Sequence, residues 1–225
     1  MSYATALIWL AGASGLLYYV STSDQFKVST VFVAGNALVP ASELEAAAAV
    51  RGANIFWIRH EEVARRVQGV PAVRTAQAAI RLPSRVDVRV TERTPRALWA
   101  TPGGSRLVDA DGQLLGPPTD RTDLPMIYDR SGEGPRERVD ADAIETMMQL
   151  KAALPRLERA AVREFEYTAD GVTALLDSGL SVKFGGSREL AWKLEAFSAI
   201  RREIERTAQR AELIDVRFRD RAYFR

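Results

Sequence analysis

The chain has 225 residues, enough for one large domain or two small ones, each with a modest hydrophobic core. Apolar residues make up 47% and charged residues 27%, a composition that excludes a wholly disordered chain. The 31 basic and 29 acidic residues are mixed along the sequence and do not indicate nucleic-acid binding, while the lack of cysteine excludes disulfides and cysteine-based metal or redox sites.

An uncharged run of apolar and small residues, 3–20, opens the chain. As a helix it would reach ~27 Å, close to the thickness of a thin bilayer core. Tyr18 and Tyr19 stand at its far end, where aromatic rings favour the membrane interface. We expect residues 1–25 to hold a single membrane-spanning helix, with the chain after Asp24 outside the cytoplasm. A cleaved signal peptide and a buried helix are the alternatives, although no basic region precedes the run.

Residues 26–72 predict one strand followed by two helices. The strand contains Val31 and Val33 and ends at the turn pair of Gly35 and Asn36. Ser42 is predicted to cap the first helix, which ends at Gly52. The second helix begins at about His60 and ends at about residue 69.

A hairpin follows, in residues 73–95. Val86, Val88 and Val90 alternate with charged or polar residues, which is the period of a half-buried strand. The preceding run, residues 73–82, leads into it through a Pro-Ser turn, and Pro95 ends the ladder because it lacks a donor N–H. The order is therefore strand, helix, helix, strand, strand.

The remaining residues, 96–225, predict a β-rich region with two long helices. The first helix covers residues 140–154, and the second is capped by Ser187. Between them, three strands are joined at two turn pairs that each contain a glycine. The second helix carries an apolar stripe with helical spacing, formed by Leu190, Leu194, Phe197, Ile200 and Ile204.

Catalytic, cofactor and metal sites are not predicted. The one histidine, His60, has no second histidine at zinc-ligand spacing, and no G-x-S-x-G nucleophile motif occurs. Asp109 and Asp111 in "DADG" are two apart, but a turn explains them better than a metal pair. The mixed charges near residues 201–212 indicate a solvated helix face and not a nucleic-acid stripe.

Several short motifs follow one another along the chain: "VFVAGNALV", "VDVRVTERTPRALW", "LVDADGQLLG" and "LIDVRF". Their order resembles that of the FtsQ/DivIB family of bacterial division proteins. The resemblance implies an α+β fold with a single transmembrane helix in residues 1–25, a POTRA domain (β-α-α-β-β) in residues 26–95, and a β-rich domain with flanking helices in residues 96–225. In this reading, Glu92, Arg93 and Pro95 form the exit of the last POTRA strand.

The resemblance also implies a function. We expect a non-enzymatic scaffold of the division machinery in the plasma membrane at the septum, with its domains outside the cytoplasm and without cofactors. It would link early and late division proteins, and its partners would include bitopic proteins of the FtsB/DivIC and FtsL type. The alternative function is a POTRA-bearing component of a transport or secretion system. An enzyme ranks third.

Two candidate partner-binding surfaces follow. By resemblance, one lies on the second POTRA helix and the next strand and includes Arg65, Arg66, Arg74 and Gln77. The other is a final strand, residues 213–218, whose period places Ile214, Val216 and Phe218 on one face and Asp215 and Arg217 on the other. We expect this strand to be an open sheet edge that binds a partner by strand addition, with Tyr223 and Phe224 as aromatic anchors. In the alternative, "AYFR" folds back as a last hairpin strand and covers the edge.

Overall fold

The computed structural model describes residues 3–118, 123–132, 137–158, 161–219 and 222–225. The chain divides into two compact units, Met1–Arg93 and Thr94–Arg225. The first helix of the first unit, α1, covers Tyr3–Thr22, and none of its residues is buried in the protein. It is long and apolar enough to cross a membrane, alone among the helices of the described ranges. The predicted N-terminal helix is confirmed, and its passage through a membrane stays a prediction.

A three-stranded sheet carries the first unit. Its strands are β1 (Thr30–Ala34), β2 (Val73–Arg81) and β3 (Arg85–Glu92). The central strand is β3, which pairs in parallel with β1 and antiparallel with β2. Helices α2 (Ala41–Ala48) and α3 (His60–Gln68) lie between β1 and β2 in the chain. The predicted order of strand, helix, helix, strand, strand is confirmed.

The core of this unit follows the predicted alternation. Val86, Val88 and Val90 are each 3% exposed or less, while Arg89 between them is exposed. Helix α2 differs from the prediction at both ends. Ser42 makes no capping bond, because Pro40 is the N-cap and its carbonyl accepts the first N–H groups of the helix. The helix ends before Gly52, since Ala49 adopts the left-handed conformation that terminates it.

The second unit contains a nine-stranded sheet. Its strands are β4 (Ala97–Thr101), β5 (Gly104–Val108), β6 (Leu114–Gly116), β7 (Met126–Asp129), β8 (Val162–Thr168), β9 (Gly171–Leu176), β10 (Ser181–Gly185), β11 (Leu213–Asp215) and β12 (Tyr223–Phe224). Their order across the sheet is β12-β11-β10-β9-β8-β7-β4-β5-β6. Two parallel pairs, β7 with β8 and β10 with β11, are joined through helices α4 (Ala141–Glu158) and α5 (Leu190–Thr207).

Both long helices contribute to one hydrophobic core with the sheet. On α4, Ile144, Met147 and Leu154 are buried. On α5, Phe197 is fully buried and its ring lies 5.9 Å from that of Phe184 on β10. The predicted cap of α5 is wrong. Glu189 is its N-cap, while the hydroxyl and N–H of Ser187 donate to the Asp142 carboxylate on α4.

The C-terminal strand is shorter than predicted and is not the edge of the sheet. β11 ends at Asp215, because the carboxylate of Asp215 accepts the N–H of Arg217 at 3.1 Å and turns the chain. Phe218 therefore does not share the buried face of Ile214 and Val216, and is 57% exposed. After this turn the chain returns as β12, which pairs antiparallel with β11. The structure therefore has the alternative arrangement, in which the last residues fold back and cover the strand. Residues 220 and 221 lie outside the described part of the chain.

Candidate partner-binding surfaces

The outer side of the nine-stranded sheet is formed by β12. Arg225 and Leu213 exchange both backbone hydrogen bonds, at 2.9 and 3.0 Å. The next residue pair, Phe224 opposite Ile214, is therefore a non-hydrogen-bonded pair. In such a pair the backbone N–H and C=O groups point away from the partner strand. Phe224 thus directs its backbone groups outward, at the end of the sheet.

The opposite end of the sheet is β6, and it is partly covered. The Leu114 N–H donates to the Glu137 carbonyl at 3.1 Å, and Gln113 forms an isolated bridge with Arg138. A segment of the same chain therefore already occupies part of the outer side of β6. Of the two sheet ends, the β12 end is the better template for an added strand.

The aromatic residues at the C-terminus differ in their surroundings. Tyr223 is 51% exposed, whereas Phe224 is half-buried and packs against the core of the second unit. Phe218 is exposed and lies under the Arg217 guanidinium, whose carbon is 5.2 Å from the ring centre. Tyr223 and Phe218 can therefore contact a partner directly, while the Phe224 side chain holds β12 on the sheet.

Arg217 is held in an ion-pair network next to β10 and β11, the strands inside β12. Its guanidinium contacts the Asp215 carboxylate at 2.8 Å through one nitrogen and at 3.0 Å through Nε. Another nitrogen reaches Asp170 at 2.6 Å, and Lys183 lies 3.3 Å from the second oxygen of that carboxylate. Asp215 is only 3% exposed, so its charge depends on this pairing. Arg217 thus stabilises the chain around β11.

The network shifts the pKa of its members. Burial opposes ionisation of Asp215, yet the hydrogen bonds and charge of Arg217 outweigh it and hold the pKa of that carboxyl below its ordinary value. The pKa of Asp170 is also lowered, first by its hydrogen bond from Arg217 and then by the one from Lys183. The pKa of Arg217 is raised, chiefly by its hydrogen bond to Asp215 and against burial.

The second predicted surface lies on α3 and β2. Arg65, Arg66, Arg74 and Gln77 are all exposed. Gln77 is opposite Arg89, on the sheet face that points away from the buried valines. Arg65 and Arg66 belong to α3, whose Val63 and Val67 are buried. The four residues therefore lie on the two sides of the β2 edge, and a partner that contacts all of them must reach around that strand.

Sequence reasoning missed a role of Glu92 in the first unit. Its carboxylate accepts the backbone N–H groups of Ala37, Leu38 and Val39 at 2.6–2.9 Å. The end of β3 thereby fixes the segment that follows β1. A glutamate at a strand end is the only signal in the sequence, because its partners are more than fifty residues away.

The residues considered above for catalysis or metal binding lie in a turn or on the protein surface. The Asp109 carboxylate accepts the N–H groups of Asp111 and Gln113 at 2.9 and 2.8 Å, which is the predicted turn. His60 is exposed at the start of α3, next to Glu61. Within the described ranges, no cluster of three or more histidine or acidic residues could hold a metal ion.

Comparison with known proteins gives matches along both units. The sequence model for the C-terminal region of the cell division proteins FtsQ/DivIB matches residues 97–217, and that for the FtsQ-type POTRA domain matches residues 26–93. A cell division protein FtsQ from Myxococcus fulvus is 29% identical over 219 residues, which cover 92% of this chain and 75% of the relative.

Two further relatives carry the same description. The cell division protein FtsQ of Chloroflexus aurantiacus is 32% identical over 145 residues, or 62% of this chain and 53% of the relative. That of Neisseria gonorrhoeae is 26% identical over 216 residues, or 94% of this chain and 84% of the relative.

Proposed function

The chain belongs to the FtsQ/DivIB family of cell division proteins, and we propose that it is a non-enzymatic, single-pass membrane scaffold of the division machinery. In this proposal, α1 in residues 1–25 spans the plasma membrane at the septum. A POTRA domain in residues 26–95 and a β-rich domain in residues 96–225 lie outside the cytoplasm. The protein links early and late division proteins by binding a different partner with each domain.

The observation that carries the proposal is the outward backbone of Phe224 at the end of a nine-stranded sheet. A partner segment in extended conformation can pair with these groups, so that backbone hydrogen bonds supply affinity and alternate side chains supply selectivity. The exposed rings of Tyr223 and Phe218 add apolar area of the kind that is common in binding hot spots.

The proposed partners at this edge are bitopic division proteins of the FtsB/DivIC and FtsL type. The strand they add pairs with β12 and not with β11, since β12 already occupies the outer side of β11. Ile214, Val216 and Arg217 then support the edge from within: the first two are buried and the third is held by Asp215. Tyr223, Phe224 and Phe218 are the residues in reach of the partner.

The first unit contributes a second surface in this proposal. Arg65, Arg66, Arg74 and Gln77 have exposed side chains that can form polar contacts with other septal proteins. Because they lie on both sides of the β2 edge, we propose that the partner approaches that edge. A transport or secretion component, the alternative from sequence, loses its support because both units match division-protein families.

The test is co-purification of the full chain with its bitopic partners from native membranes, with two variants of Phe224. Phe224→Pro removes the outward N–H and the ring, whereas Phe224→Ala removes the ring alone. If strand addition holds the partner, Phe224→Pro recovers much less partner than Phe224→Ala. Equal recovery with both variants contradicts strand addition at β12. Failure of wild type to recover any division protein contradicts the scaffold function itself.

A further inference from the structure

Two large aromatic side chains are exposed in a short turn of the first unit. The turn is a 3-10 helix, Ile55–Trp57, in which Ile55 is buried while Phe56 and Trp57 are 47% and 68% exposed. The buried isoleucine attaches the turn to the unit. The two rings that follow it leave an apolar patch that the unit itself does not cover.

This turn is attached to the end of α1. The Asn54 side chain donates from Nδ2 to the carbonyls of Val20 and Ser21, at 2.7 and 3.1 Å. Carbonyls in the last turn of a helix have no partner within the helix, so these bonds satisfy groups that α1 leaves open. The Oδ1 atom of the same side chain accepts the N–H of Phe56 at 3.0 Å. One asparagine thus joins the end of the apolar helix to the aromatic turn.

A chain of ring contacts follows the same route. The Tyr19 ring on α1 meets the Phe26 ring edge-on, with centres 6.3 Å apart. The Phe26 ring in turn lies 5.2 Å from that of Phe56. Aromatic side chains therefore continue from the end of α1 to the exposed turn.

The distances place the turn at the depth of lipid headgroups. The 20 residues of α1 extend about 30 Å, the thickness of a hydrocarbon core, and each headgroup region adds roughly 5–8 Å. Trp57 is three residues beyond Asn54, at most about 6 Å along a 3-10 turn. When α1 spans a bilayer, Trp57 therefore lies within one headgroup layer of the end of the hydrocarbon core.

We propose that Phe56 and Trp57 form a second membrane contact, in which the two rings seat among the headgroups beside the end of the span. Indole and phenyl rings at that depth match the preference of aromatic side chains for the membrane interface. With the Asn54 bonds to α1, this contact fixes the orientation of the first unit on the bilayer surface. The ligand is the lipid surface itself. The inference rests on the proposed spanning role of α1.

Three of the four tryptophans of the chain provide the test. The full chain is reconstituted in vesicles of phosphatidylethanolamine and phosphatidylglycerol that carry bromine at shallow or deep acyl positions. Trp9 is about 5 Å from the midpoint of α1 and reports on the span. Trp57 reports on the turn, and Trp192 on the second unit is the matched control. Each is replaced in turn by phenylalanine.

We expect Trp57→Phe to lose quenching by shallow bromine, Trp9→Phe to lose quenching by deep bromine, and Trp192→Phe to change neither. If Trp57→Phe is quenched by shallow bromine as strongly as wild type, the membrane contact is wrong. If Trp57 contributes no shallow quenching but Trp9 still contributes deep quenching, α1 spans the bilayer and only the second membrane contact is wrong. If neither tryptophan contributes quenching, the spanning role of α1 is wrong as well. Protection of Trp57 from lipid bromine and from aqueous acrylamide together shows a protein occupant, which also overturns the inference.

Discussion

Replacement of Arg217 by methionine tests how the sheet edge is supported. Methionine keeps much of the length of the side chain and removes the guanidinium that contacts Asp215 and Asp170. Asp215 is 3% exposed. Of the hydrogen bonds that residue 217 donates to its carboxylate, only the one from the backbone N–H then remains. A buried charge without its counter-ion is unstable, so we expect β10 and β11 to open more often.

The size of the effect follows from the burial of the pair. Removal of one partner of a fully buried ion pair costs 3–5 kcal/mol as a general rule. Here the Arg217 side chain is 19% exposed and the backbone hydrogen bond remains, so we expect about 2–3 kcal/mol. The double variant Asp215→Asn with Arg217→Met should be more stable than Arg217→Met alone, because it leaves no unpaired charge.

The pH dependence has a defined sign. Because the pKa of Asp215 in the folded chain is below its unfolded value, this carboxylate stabilises the fold fully above the unfolded pKa. That stabilisation is lost as the pH falls through the folded pKa, a window below about pH 4. The Arg217→Met variant lacks the ion pair, so we expect the difference in stability between it and wild type to shrink in that window.

Hydrogen exchange of the full chain in detergent micelles measures the effect where it arises. A loss of about 2 kcal/mol makes exchange in β10 and β11 about 30-fold faster. Arg219→Met is the matched control, because Arg219 is 61% exposed and its pair with Glu189 is 3.8 Å long. If Arg217→Met and Arg219→Met exchange at the same rate in β10 and β11, the network does not support the edge.

Three further predictions concern the first unit. Val88→Asp should unfold the unit, because burial of this valine is worth about 1.5–3 kcal/mol and the variant places a charge at the buried position. Arg89→Asp, on the exposed face, should leave the melting temperature of the unit nearly unchanged. Similar melting temperatures for the two variants would show that the core has been assigned to the wrong face of the strand. Glu92→Ala should lower the stability of the unit by about 2 kcal/mol, because three backbone N–H groups lose their acceptor, and Glu92→Gln should lower it by less. Urea unfolding measures both changes, and no loss of stability in Glu92→Ala would show that Glu92 does not fix the segment after β1. Alanine at all four exposed residues of the α3–β2 surface should weaken septal recruitment with the fold intact, and normal localisation would argue against that surface. They are Arg65, Arg66, Arg74 and Gln77.

The elements of the fold could largely be predicted because they depend on local patterns. The alternation of Val86, Val88 and Val90 requires only the period of a strand, and the structure buries all three. The end of β11 could not be found in this way. Ile214, Val216 and Phe218 share the same alternation, yet the Asp215 side chain accepts the Arg217 N–H and ends the strand. A side-chain bond to the backbone competed with the period and determined the conformation.

The candidate site was harder to predict than the fold because its contacts join distant parts of the chain. Asp170 belongs to one of the two predicted turn pairs between the strands, but its carboxylate also contacts Arg217, nearly fifty residues later. Residues 213–218 were predicted to be the edge of the sheet because they form the last strand with a clear period in the sequence. Whether the seven residues after Phe218 include a strand that pairs with it depends on the free energy of a short hairpin, which the residue pattern does not determine.

Hydrogen exchange at single-residue resolution can detect whether the β12 edge receives a strand from a bitopic division protein. The full chain is measured in micelles with and without the partner. We predict that exchange of the Phe224 amide slows when the partner is added, because its outward N–H then donates a hydrogen bond to the added strand. The Leu213 amide, already bonded to the Arg225 carbonyl, serves as the internal control and should change less. Unchanged exchange at Phe224 with the partner bound would contradict strand addition at β12.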